Sequence, residues 1–106
     1  MEEFIAEIVT RCDSLEVLQH IAAVLVEERL AACAHVRGPV QSTYRWNGVV
    51  TQASEWELDA ITTLEGATAL RARISSLHPY DTPALISRDC SASRKYADWV
   101  RTETQQ

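Results

Sequence analysis

Val40-Gln41-Ser42-Thr43-Tyr44-Arg45-Trp46-Asn47-Gly48-Val49-Val50 decides the architecture, because Asn-Gly is the dipeptide preferred in a two-residue type I′ turn, where both positions take positive φ. The β-favouring residues around it then pair as antiparallel arms, Val40 to Trp46 going out and Val49 to Thr63 returning. Counting back through a regular turn sets Thr51 opposite Tyr44 and Glu55 opposite Val40, so Tyr44, Trp46 and Glu55 share a face unless a bulge intervenes. Further along the returning arm Trp56, Leu58 and Ala60 alternate with Glu55, Glu57 and Asp59. One face is apolar. The other carries three carboxylates that repel unless cations, Arg side chains or water meet them.

Upstream, Ala31 to Val36 reads as a strand of small residues, and Gly38-Pro39 imposes a bend or bulge before the arm resumes. The returning arm is about 15 residues long, against the usual 5 or 6 of a strand, so it overhangs a domain of this size. Overhanging ribbons expose unpaired backbone, and natural proteins cover or pair such edges. The expectation is that another subunit takes the hairpin. The rival is a bulged ribbon folding back on its own domain.

Residues 3–11 hold Phe4, Ile5, Ile8 and Val9 in a β-favouring run, and Asp13 with Glu16 suggests a capping box opening a helix over about 14–29. Leu18, Ile21, Ala22 and Leu25 follow the i, i+3, i+4, i+7 spacing of a buried stripe. Ala67, Leu70, Ile74 and Leu77 predict a second amphipathic helix over about 65–77, stopped at His78-Pro79. Ala84 to Arg88 is expected as the fourth strand. Ser91 or Ser93 caps a final helix carrying Tyr96, Trp99 and Val100, and Thr102 to Gln106 reads as a frayed tail. The order is β-α-β-β-α-β with an added C-terminal helix: an α+β, ferredoxin-like antiparallel sheet in a single domain, 1–106.

Composition narrows the function classes. The chain has 106 residues, 46% hydrophobic and 24% charged, as in ordinary globular domains. Its net charge of −5 repels phosphate backbones, so nucleic acid is not an expected partner. No apolar run reaches the ~20 residues that span a bilayer, and Met1-Glu2-Glu3-Phe4 is acidic where a secretory signal is basic, so no membrane partner and a cytoplasmic address are expected. Cys12, Cys33 and Cys90 lack C-x-x-C spacing and read as free thiols.

Leu77-His78-Pro79-Tyr80-Asp81-Thr82-Pro83 makes a rigid polar corner after a helix. His78 there has two readings: an imidazolium favoured by the helix dipole, or a ligand for a metal or small molecule. His20 and His35 show no ligand spacing with it. Tyr44, Trp46 and Glu55 on one face could line a pocket, the plainer reading being rings at an interface and a carboxylate paired with Arg. No nucleophile elbow, phosphate loop, HExxH or dinucleotide fingerprint occurs, so the chain reads as non-enzymatic. Acylphosphatase-type chemistry, by fold analogy, has only Arg11 and Asn47 as candidates.

Leu30 to Ala34, Ser42 to Gly48, Glu55, Thr62-Thr63, His78 to Pro83, and Tyr96 with Trp99 together resemble the CutA family of divalent-cation tolerance proteins, over about residue 4 to Trp99. The resemblance implies a ferredoxin-like subunit in a tight homotrimer, with hairpins reaching neighbouring subunits and open sheet faces turned inward. It also implies an association with tolerance to divalent metals, copper especially, and a likeness to the trimers of PII signalling proteins. The copper ligands proposed for some members fall at Thr10, Leu77 and His78, of which only His78 is a ligand-type side chain. Cys12 would point to the same side as Thr10 if the strand continued that far. Ile61 and Ala84 stand where the family usually has Lys and Glu, as if an ion pair had been deleted, which would leave an inter-subunit cleft more apolar. The expected site is a cleft containing Tyr44, Trp46, Glu55, His78 and Tyr80 that takes a small ligand, or copper or another divalent cation through His78. The alternative is a structural or signalling-type, PII-like trimer that binds a protein partner without metal chemistry.

Overall fold

The computed structural model describes residues 2–105; the predictions for Met1 and Gln106 lie outside the described residues. The elements run β1 (Glu2–Cys12), α1 (Leu15–Glu27), β2 (Cys33–Trp46), β3 (Val49–Thr62), α2 (Ala67–Leu77), β4 (Ile86–Ser93) and α3 (Arg94–Glu103). The four strands form one antiparallel sheet in the order β2-β3-β1-β4, the ferredoxin-like arrangement expected. Among the described residues no helix is long and apolar enough to cross a membrane.

The pleat sorts the sheet residues onto two faces. Ala6, Ile8 and Cys12 of β1 and Leu58 and Ala60 of β3 pack with Leu18, Ile21 and Leu25 of α1 and Leu70 and Ile74 of α2. The predicted stripe on α1 is therefore the buried one, and truncating one of these Leu or Ile residues to Ala would cost about 2–5 kcal/mol. On the opposite face Ile5 and Ile61 meet Ala97 and Val100 of α3. The added helix thus covers part of the sheet face that α1 and α2 leave open.

Beside α3 that open face is charged. Glu57 bridges Arg11 and Arg37 at 2.9 Å each, and Arg88 reaches Glu7 at 3.1 Å. The predicted partners for the strand carboxylates are present for Glu57, whose carboxyl is pushed up by burial but held lower overall by Arg11 and Arg37. Asp59 is less well served: Arg37 lies at 3.6 Å and Oδ1 is buried without a partner. Burial first, and then the neighbouring Glu7 carboxyl, raises its carboxyl above the ordinary range.

Several boundaries correct the sequence reading. Ser14, not Asp13, caps α1, its Oγ accepting from the Val17 N–H at 3.2 Å, because β1 runs on to Cys12 and the Asp13 N–H goes to the Tyr80 hydroxyl. The fourth strand is Ile86–Ser93 rather than Ala84 to Arg88; pairing along Glu2 to Val9 fixes it. Ser93 is the cap of α3, which extends to Glu103, so Thr102 is helical rather than frayed. Arg29, at φ 61°, turns the chain out of α1 in the left-handed region.

Candidate functional site

The hairpin register is the one the Asn-Gly turn predicts. Trp46 faces Val49, Tyr44 faces Thr51 and Val40 faces Glu55, with Asn47 at φ 50° and Gly48 at φ 79°. The irregularity falls between Arg37 and Val40, at the predicted Gly38-Pro39 position, so the segment from Val40 to the tip is regular. Gly38 sits at φ 136°, where an added Cβ would lie 3.2 Å from the Glu55 carbonyl oxygen and 3.2 Å from the Trp56 ring.

Between this arm and the loop after α2 lies a cavity of about 720 Å³, lined by Tyr44, Trp46 and Glu55 of the hairpin, Tyr80 and Asp81 of the loop, and Arg11 of β1. Its size is ordinary for a small-molecule site. Glu55 is 7% exposed, and its Oε2 accepts from the Tyr80 hydroxyl at 2.8 Å; no other partner of Glu55 exists among the described residues. The Tyr80 oxygen also accepts from the Asp13 N–H at 2.9 Å, so one phenol ties the hairpin to the start of α1. Burial, and then the bond to Glu55, raises the Tyr80 phenol well above its usual value, so it donates across the physiological range.

Four of the five predicted site residues therefore line one cavity. The fifth, His78, does not. It is buried behind the cavity, where its Nδ1 accepts from the Tyr80 N–H at 3.1 Å and its Nε2 lies 2.8 Å from the Arg11 carbonyl oxygen. An accepting Nδ1 leaves the proton on Nε2, which donates to Arg11. In this arrangement each ring nitrogen is engaged by a backbone group of the same subunit. Its ring meets Tyr80 edge-on at 4.7 Å and holds the cavity wall in place.

A resident divalent ion finds no cage in the subunit. Among the described residues no group of three or more His, Cys, Asp or Glu side chains is placed to hold one. Strand β1 does continue to Cys12, which therefore shares a side with Thr10, but the thiol is packed in the core and burial raises its pKa, disfavouring the thiolate a metal needs. Ile61 lies under α3 rather than in the cavity, whereas Ala84 lines it. Asn47 occupies the hairpin turn and Arg11 bonds Glu57, so the two acylphosphatase candidates do not meet in an anion cradle. Sequence reasoning missed Arg11 and Asp81 as cavity residues; for Asp81 its place beside Tyr80 in the predicted polar corner was the available signal.

A family model described as CutA1 divalent ion tolerance protein matches residues 6–103. The chain belongs to the CutA1 family. The divalent-cation tolerance protein CutA of Thermus thermophilus is 40% identical over 92 residues, covering 86% of this chain and 89% of its own. The human protein CutA is 32% identical, and the match spans about half of its length, 53%. Among solved structures, CutA from Synechococcus elongatus superposes with a TM-score of 0.92 at 31% identity, covering 99% of this chain and 95% of that one. The T. thermophilus Cut A1 structure gives 0.89 at 37% identity, covering 99% and 100%. The CutA1 fold and this chain's are thus the same from β1 through α3.

Proposed function

We propose that this divalent-cation tolerance family member works as a non-enzymatic homotrimer that binds a small ligand in the cleft between its hairpin and the loop after α2. The observation that carries the reading is Glu55: a carboxylate withdrawn from water, with one oxygen used by Tyr80 and the other left for whatever enters. Association is supported by shape and surface. The molecule measures 46 × 26 × 21 Å, and the arm bears Val49 and Val50, both more than half exposed, an apolar tip that a neighbouring subunit would cover. A reducing compartment such as the cytoplasm suits its three free cysteines.

Copper or another divalent ion entering this cleft would meet carboxylates and ring faces rather than imidazole nitrogens. Metal binding is therefore expected to be weak and independent of His78. Light scattering should return three times the subunit mass, and Cu(II) and Zn(II) titrations should give the same weak affinity for the parent and for His78→Ala. A solution monomer would overturn the trimeric reading; a metal affinity that collapses in His78→Ala would restore the histidine ligand.

A further inference from the structure

The chemistry of the cavity wall narrows the ligand class, and the narrowing rests on the cleft reading above. The lining groups that carry charge are Arg11, Glu55 and Asp81. Arg11 already directs its Nε to Glu57 at 2.9 Å, so the lining cation has a carboxylate of its own. Glu55 has only the neutral Tyr80 hydroxyl, and Asp81 is an exposed second carboxylate at the rim. The unmet electrostatic demand is for positive charge.

The remaining walls select among cations. Tyr44 and Trp46 stand on alternate residues of one strand, on the face they share with Glu55 through the Val40 pairing, and both line the cavity half-exposed. Ring faces ligate divalent metals poorly, whereas an alkylated ammonium is attracted to the aromatic quadrupole while its methyl groups shed water. A hydrated divalent ion also wants about six oxygen ligands, and the described residues place no such cluster. We propose that the cleft binds a small organic ammonium, its charge facing Glu55 and its alkyl groups against Tyr44 and Trp46.

Choline and its uncharged isostere 3,3-dimethylbutan-1-ol distinguish charge from shape. Calorimetric titration of the intact protein should show choline binding at least about tenfold tighter than the isostere. Glu55→Gln, whose amide oxygen can still accept from Tyr80, should lose that preference, and Trp46→Leu should weaken choline severalfold. Equal affinity for choline and the isostere, or no change in Glu55→Gln, overturns the inference, as does Zn(II) binding in the cleft with choline excluded. Failure of the two claims is separable: a trimer indifferent to choline sinks the ligand class alone, while a monomer that binds choline through Glu55 sinks the trimeric reading and leaves the ligand class standing.

Discussion

The Tyr80 hydroxyl donates to Glu55 Oε2 at 2.8 Å across 25 residues of sequence, and its oxygen simultaneously accepts from the Asp13 N–H. Three elements that would otherwise only abut are thereby joined at one oxygen: the hairpin arm, the loop after α2 and the entry to α1.

Tyr80→Phe removes both bonds while keeping the ring. It strands a buried carboxylate, so the cost should be about 1–3 kcal/mol in urea denaturation at fixed protein concentration. A variant as stable as the parent would mean that water replaces the phenol without loss.

His78→Ala should cost a similar about 2–3 kcal/mol, since the Arg11 carbonyl and the Tyr80 N–H both lose their partner in a buried setting. The loss should appear in stability alone, with Cu(II) affinity unchanged.

Gly38→Ala tests the bulge. At φ 136° a side chain is strained whatever the space, and here Glu55 and Trp56 also crowd the new Cβ. A destabilisation of about 1–3 kcal/mol is expected, with choline binding weakened because Glu55 is the residue displaced.

Asp59→Asn should stabilise the protein at neutral pH. The folded-state pKa of Asp59 is raised, by burial and then by Glu7, so its contribution is favourable below its ordinary value of 3.8 and is lost as pH rises through the higher folded value. An amide can instead donate to Glu7. The gain should be about 1 kcal/mol at pH 7 and should vanish as the solution is acidified. Glu57 has the opposite sign: lowered in the fold, it favours folding above its ordinary 4.5, and that support is lost as pH falls through the depressed value. Denaturation midpoints followed from pH 7 to pH 3 would separate the two slopes.

Much of this was legible in the sequence where a local rule had a single solution. Asn47-Gly48 fixed the hairpin register and so the shared face of Tyr44, Trp46 and Glu55, because a two-residue turn leaves the pairing no freedom. The cap of α1 was misplaced by one residue because Asp13 and Ser14 are both competent acceptors, and only the Tyr80 contact decides between them. Strand β4 was placed too early because Ser91 and Ser93 read as turn or cap residues, while its extent is set by pairing with β1, some eighty residues away. The state of His78 was beyond reach for the same reason: its proton is fixed by the Arg11 carbonyl, 67 positions upstream.

The extra residue at Gly38-Pro39 shifts the numbering of the pairs where the sheet passes into the arm. Arg37 pairs with Glu57 and Val40 with Glu55, so three steps along β2 match two along β3, and the odd-numbered side chains of the sheet hand over to the even-numbered ones of the ribbon. Deleting one residue there would leave Val40 still opposite Glu55 and Tyr44 still opposite Thr51, so the shared face of the two rings and the carboxylate would survive. What the extra residue supplies is local: a kink and added twist at the root of the ribbon, which set the direction in which the whole arm leaves the sheet.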